Sequence, residues 1–305
     1  MPGLSLGRRG VVLRRRTLGD VFVYQVLLTP YSLVMVAFAV AALGFGITLS
    51  LLNIDLIAPS PTQFVGITNF RAAFADPTFL SSLKITAYLL TVPVLLEVAV
   101  GLGAALLVQN RRRTSGIQAL LLIPMFVPPV VAGLFWKLIM TPGLGGFNGL
   151  LGLLHLPTPA WLDHSTTALA AVTIADVWEW FPFAFVFLLA ALKGLPREPY
   201  EAARIDGASE PQMLRHLTLP MLRLPLATAL LLEVVNSLFL LPLIYTMTGG
   251  GPGQATEPLD YYAFIQGFTY FNLSYAAALL VLLLLFVMIP SVFLVFRIRK
   301  GMAAS

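Results

Sequence analysis

Four acidic residues, Glu97, Asp176, Glu179 and Glu233, stand inside stretches of sequence that are otherwise apolar. An ionised carboxylate among hydrocarbon is costly unless it faces water or a partner group, so each is a candidate for function. Two groups have helical spacing. Asp176, Glu179, Trp180 and Phe183 recur at i, i+3, i+4 and i+7, and Glu233, Ser237 and Leu240 at i, i+4 and i+7, with Asn236 adjoining. Carboxylates accept hydrogen bonds from hydroxyl groups while aromatic rings cover the apolar face of a sugar, so such faces suit a polyol. The same residues would also serve as a seam in which polar groups hold two helices together. Glu97 has no such companions and reads as a structurally paired group.

The elements that must position these residues are membrane helices. The chain has 305 residues, 58% of them hydrophobic and 11% charged, with mean hydropathy +0.87, which is too apolar for a soluble domain. Stretches near 28–52, 83–108, 117–140, 167–192, 224–246 and 274–297 are each long enough to span about 30 Å of hydrocarbon as a helix. The fold class expected is an all-α integral membrane protein with six transmembrane helices. The first stretch is too long for a signal-peptide core and reads as a retained helix. No cysteine is present, which excludes a disulfide framework, a thiolate metal site and a thiol nucleophile.

Charge sets the orientation. Arg8, Arg9, Arg14, Arg15 and Arg16 precede the first span, Arg111, Arg112 and Arg113 follow the second, Lys193, Arg197, Arg204, Arg215 and Arg223 follow the fourth, and Arg297, Arg299 and Lys300 end the sixth. Of the 19 basic residues only Arg71, Lys84 and Lys137 fall on the opposite side, so both termini are expected in the cytoplasm. The net charge of +5 is explained by this topology rather than by nucleic acid, because the basic clusters adjoin apolar runs and lack interleaved aromatics. The domains expected are a basic cytoplasmic N-terminus at 1–25, a membrane domain at 26–298 and a tail at 299–305. External segments fall at about 53–82, 141–166 and 247–273. The last contains TGGGPGQATEP, whose consecutive glycines permit positive φ while Pro252 stiffens the turn, and it reads as a structured gate or docking surface. Pro93, Pro124, Pro128, Pro129, Pro182 and Pro242 interrupt the second to fifth spans and supply points for bending.

Other chemistry is not visible. No phosphate-cradling G-x-x-x-x-G-K-[ST] and no H-E-x-x-H occurs, and His155, His164 and His216 lie far apart in loops. The sequon at Asn272 carries no functional reading.

The longest polar segment, Leu195–Pro220, stands out against this background. Pro199 suits a first helical turn, Gly207 suits a left-handed helix end, and Ser209 with Gln212 has capping-box spacing before a second helix that Pro220 is expected to stop. Two short helices meeting at a glycine make either a docking knob or an ordinary cytoplasmic loop. Ala202, Ala203 and Ala208 keep its surface small, and Glu201, Arg204, Asp206 and Arg215 offer charge.

EAARIDGA followed by LTLP resembles the EAA loop of ABC importer permeases, in which EAA, three residues, glycine, then a hydrophobic position and LP follow in order. FVGITNF with DPTF (Phe64 to Phe79), WEWFPF (Trp178 to Phe183) and YTMTGGGPGQAT (Tyr245 to Thr256) are similar to landmarks of the carbohydrate branch, the maltose and glycerol-phosphate type, from about residue 25 to the end. The resemblance implies a permease subunit in the bacterial inner membrane that imports a carbohydrate, an oligosaccharide, and catalyses nothing itself. It implies a second permease in a heterodimer, two ATPase subunits that bind the ATP and Mg, and an extracytoplasmic solute-binding protein. No cofactor is expected on this chain. Coupling to the ATPase is expected at Glu201, Ala202, Ala203, Asp206, Gly207 and Ala208. Substrate contacts are expected at Asp176, Glu179, Trp180, Phe183, Glu233, Ser237 and Leu240, which align with the family's contact positions on the helices flanking the loop.

Three acids depart from the family's usual uncharged contacts. With no Lys or Arg in these stripes a phosphorylated substrate is disfavoured, and an amino sugar, a polyamine or another cation is the alternative. A proton-coupled secondary transporter using Asp176, Glu179 or Glu233 as a relay is a further alternative, as is a structural membrane subunit without a pathway.

Overall fold

The computed structural model describes residues 18–54, 61–109, 115–143 and 146–303. Arg8, Arg9, Arg14, Arg15, Arg16, Arg111, Arg112 and Arg113 lie outside the described residues. The chain forms two compact units, residues 1–48 and 49–305. The first is mostly α1 (Leu18–Ser50), which begins inside the segment expected as a basic N-terminus and contains Pro30. Its Leu28–Ser50 portion is apolar enough to cross a membrane.

The second unit opens with a small antiparallel hairpin, β1 (Leu52–Asn53) against β2 (Gln63–Phe64), with Leu52 opposite Phe64. After α2 (Thr68–Ala75), α3 (Pro77–Leu89) and α4 (Val92–Val108) follow one another as one apolar span. This span starts ahead of the expected residue 83. Asp76 accepts a hydrogen bond from the Thr78 N–H at 2.8 Å, and Pro77 occupies the first turn, where a missing N–H costs nothing.

The expected third span, 117–140, is not one helix. It divides into α5 (Ser115–Leu122), a 3₁₀ turn at Pro124–Phe126 and α6 (Pro129–Met140). Pro124, Pro128 and Pro129 remove three backbone donors and force Val127 into an extended conformation, φ −78° and ψ 124°. With 12 residues α6 covers only about 18 Å. The short α7 (Phe147–Leu153) leads into α8 (Ser165–Lys193), which continues through Pro182.

A second correction concerns Pro220. After α9 (Glu198–Ile205) and α10 (Glu210–Met213), a π turn at Leu214–Thr218 carries the chain into α11 (Leu219–Met221), so helical structure passes Pro220. The wider turn offers the carbonyls a different register, which accommodates a residue with no N–H. The break falls at Leu222, where the axis bends by 65° into α12 (Arg223–Asn236). A 3₁₀ turn at Ser237–Phe239 precedes α13 (Leu241–Met247), with Pro242 in its first turn, so the fifth expected stretch is also interrupted. Then come α14 (Leu259–Phe264), a second π turn at Ile265–Thr269, and α15 (Leu273–Ala303). Among the described residues four helices are long and apolar enough to cross a membrane, and a fifth if the bent pair counts as one span.

Small residues let the long helices touch. A Cβ at Gly101 of α4 would lie 2.7 Å from the Phe185 nitrogen and 2.8 Å from Ala184 Cβ of α8, and one at Gly133 of α6 would lie 3.0 Å from the Leu243 carbonyl oxygen of α13. One apolar cluster, including Val98, Ala105, Phe185, Leu188 and Ala229, fills the space among α4, α8 and α12. A second, with Phe79, Leu259, Tyr262 and Leu279, joins α3, α14 and α15.

Candidate translocation and coupling site

The α4–α8–α12 packing brings the four acids to one seam. Glu97, Asp176 and Glu179 are each 2% exposed and Glu233 is fully buried. Asp176 lies within electrostatic range of Glu179 and Glu233, and Glu97 within range of Asp176 and Glu233. Asn236 donates to Glu233 Oε2 at 3.1 Å, while Glu233 Oε1 is buried without a hydrogen-bond partner. The pairing expected for Glu97 is not with a base. Among the described residues no Lys or Arg forms an ion pair with these acids, because the basic residues fall at helix ends and loops and the ion pair present is Arg204–Glu210.

The other residues of the two stripes divide. Trp180, Phe183 and Ser237 are half-buried, with faces open beyond the chain. Ser237 Oγ also donates to the Glu233 carbonyl at 2.8 Å, which ends α12. Leu240 is 5% exposed and belongs to an apolar cluster with Trp136, Met140, Val172 and Leu243. Trp178 rather than Trp180 joins a run of rings, 6.1 Å from Phe135 and 5.7 Å from Trp136. Ser237 and Leu240 border a cavity of about 10 Å³ that Thr86 and Asp260 also line, room for about one water molecule. Burial pushes the Asp260 carboxyl up to about 6, opposed by the backbone N–H groups of Asp260 and Tyr261.

A second polar centre was not foreseen. Asp76, after capping α3, accepts hydrogen bonds from Tyr262 of α14 at 2.5 Å and Tyr275 of α15 at 2.8 Å. Gln266 donates to the Tyr262 hydroxyl at 3.0 Å. Burial raises the Asp76 carboxyl, but these hydroxyls and the Thr78 N–H outweigh it and hold the group below its usual range. Burial, followed by the repulsion of Asp76, raises Glu257. DPTF reads in the sequence only as a family landmark, and no local pattern names tyrosines so distant in the chain. The glycine loop adopts the positive φ anticipated for it, +60° at Gly249, +82° at Gly250 and +62° at Gly253. Gln254 reaches back to Thr78 Oγ1 at 3.3 Å, which fastens the loop to the start of α3.

At the other end of α8, α9 and α10 make the two-helix knob. Gly207 turns it with φ +81°, and the Ala208 N–H donates to the Ala203 carbonyl at 2.9 Å. Gln212 Oε1 accepts from the Ser209 N–H at 2.8 Å, the return arm of the expected capping box. Tyr200, missed by the sequence reading, donates to Thr218 Oγ1 at 2.9 Å and ties α9 to the π turn that follows α10. Glu201, Ala202, Asp206 and Gly207 are exposed, and Ala203 and Ala208 are half-buried. A cleft of about 960 Å³ runs alongside, lined in part by Gln109, Lys193, Arg197, Tyr200 and Glu201.

The family model for the binding-protein-dependent transport system inner membrane component matches residues 97–303, from the buried acid of α4 through the knob to the end of α15. The chain belongs to this family. The permease is 34% identical over 276 residues to the trehalose/maltose transport system permease protein MalF of Thermococcus litoralis, covering 90% of this chain and 91% of that one. It is 35% identical over 264 residues to the sn-glycerol-3-phosphate transport system permease protein UgpA of Pectobacterium atrosepticum, covering 86% and 89%. Its fold matches a chain of the bacterial alginate ABC transporter solved with an alginate pentasaccharide-bound periplasmic protein, with TM-score 0.73, 18% identity, and coverage of 90% and 93%. The resemblance read from EAARIDGA is thus borne out. The chain is a transport permease subunit, not an enzyme, and integral to the membrane.

Proposed function

We propose that this permease imports a carbohydrate through the bacterial inner membrane, driven by ATP hydrolysis on separate subunits. One observation carries the reading. The knob at Gly207 lies in the chain between α8 and α12, the two helices that bear Asp176, Glu179 and Glu233, and reaches α12 through the π turn and α11. A push on Glu201, Ala202 and the turn at Asp206–Ala208 therefore moves both helices through the Tyr200–Thr218 tie. The working complex contains a second permease as heterodimer partner, two ATPase subunits holding ATP and Mg, and an extracytoplasmic solute-binding protein. Six spans place both termini and the knob in the cytoplasm, with the third and fifth spans broken at their prolines.

In this reading the half-buried Trp180, Phe183 and Ser237 meet the sugar, and Asp176, Glu179 and Glu233 stand behind them as hydrogen-bond acceptors. Leu240 holds the segment against the core. An anionic substrate is disfavoured, because α8 carries its one basic residue, Lys193, at its end and α12 carries Arg223 at its start.

The test is ATP hydrolysis by the purified complex in lipid, with and without the solute-binding protein loaded with candidate sugars. Stimulation by a sugar-loaded receptor supports the proposal. Hydrolysis indifferent to sugars but raised by a cationic solute would overturn the substrate class and leave the coupling intact.

A further inference from the structure

α7 turns an uncharged leucine face outward just beyond the end of α6. Its inner side is occupied: Phe147 packs edge-on to Trp136 with centroids 5.9 Å apart and lies 5.4 Å from Trp161, while Asn148 accepts from Trp161 Nε1 at 2.8 Å and donates to the Pro159 carbonyl at 3.0 Å. The other side carries Leu150, Leu153 and Leu154, with Leu156 following, and these are 61%, 77%, 68% and 49% exposed. Leucine side chains are stabilised by leaving water, so keeping this face in water is costly. Between Lys137 and Asp163 the sequence has no Asp, Glu, Lys or Arg.

The face continues an apolar surface on α6. Val131, Leu134 and Leu138 on the outer side of α6 are 51%, 54% and 58% exposed, and α6 touches α7. Lys137 near the end of α6 is exposed, the position from which a lysine reaches the headgroup level. Trp161, half-buried with its N–H already bonded, is the residue type concentrated at the boundary between hydrocarbon and headgroups. A water-soluble protein partner would be met by charged groups, of which the stretch between Lys137 and Asp163 has none. We propose that α7 is an interfacial helix seated in the external leaflet, its leucine face covered by lipid at the junction of acyl chains and headgroups. It would thereby anchor the outer ends of α6 and α8 at a fixed depth.

The proposal rests on the external placement of segment 141–166. That placement is tested separately by labelling Asp163→Cys in intact cells with a membrane-impermeant thiol reagent. Because the chain contains no cysteine, single substitutions can be read without background in a complex whose other subunits are cysteine-free. Nitroxides at Leu153→Cys, at Leu134→Cys as a hydrocarbon reference and at Ser209→Cys as an aqueous reference are compared for collision with oxygen and with a water-soluble nickel chelate, in lipid nanodiscs. The expected oxygen-to-nickel ratio at Leu153 is several-fold above that at Ser209 and below that at Leu134, with Leu150→Cys behaving alike if Leu153→Cys does not assemble. A ratio at both leucines equal to that at Ser209 would overturn the lipid seat. So would a high ratio that collapses when the solute-binding protein is added, which would assign the face to that protein.

Discussion

Tyr262 and Asp76, separated by 186 residues in the chain, share a hydrogen bond of 2.5 Å, and the same carboxylate holds Tyr275 at 2.8 Å. One acid therefore joins the first turn of α3, the short α14 and the start of α15. Tyr262→Phe keeps the ring and removes the donor, so it is expected to cost about 1.5–3 kcal/mol, as for hydrogen bonds to charged groups. Thermal unfolding of the detergent-solubilised complex measures it, and an unchanged midpoint would remove the Tyr262–Asp76 bond from any role in stability.

The same contact has a pH signature. The Asp76 carboxyl lies below its ordinary 3.8 in the native state, so its stabilisation is present above that value and is lost as pH falls through the lower native one. Asp76→Asn should be less stable than the parent at neutral pH and show a shallower decline on acidification below pH 4, where the parent's own loss lies. Parallel unfolding curves for the two across the acid range would contradict this.

Glu201→Lys reverses the charge on the exposed first turn of α9 while leaving the Tyr200–Thr218 tie untouched. Transport is expected to be abolished with the protein still inserted, because the substitution removes the charge proposed to pair the knob with an ATPase. Solute uptake together with membrane fractionation decides it; normal uptake would sink the docking assignment.

Gly101→Val tests the α4–α8 contact. Even a Cβ would enter within 2.7 Å of the Phe185 nitrogen, so the helices must part. Overpacking of this kind costs about 1–3 kcal/mol, and the seam that holds Glu97 and Asp176 together should loosen with it. Lower yield of assembled complex and a lower unfolding midpoint are the readouts, and wild-type values for both would mean the helices are further apart than described.

Trp180→Ala removes a half-buried ring proposed to meet the sugar. Uptake KM is expected to rise roughly tenfold, the equivalent of about 1.4 kcal/mol, with the complex co-purifying at wild-type yield. An unaltered KM would move the contact to another residue, with Phe183 the first to test.

The sequence alone was enough to establish a helical membrane protein and its family. Mean hydropathy, the length of the apolar runs and the EAARIDGA spacing are properties of consecutive residues, and so is the left-handed turn at Gly207, since only glycine adopts φ +81° without strain. Which residues share space was decided by tertiary packing. The stripe spacing placed Asp176 and Glu179 on one face, but that Glu97 and Glu233 join them depends on how closely α4 and α12 approach α8, which the small side chains at Gly101 and Ala184 permit. The interruptions at Val127 and Leu222 show the same division. Prolines stand beside both breaks, yet the helix stops at the first and passes Pro220 through a π turn at the second, a difference no local pattern announces. The Asp76–Tyr262–Tyr275 centre lay furthest from view, because a carboxylate and two hydroxyls so distant in the chain have no local pattern and meet only once α14 has folded between α3 and α15.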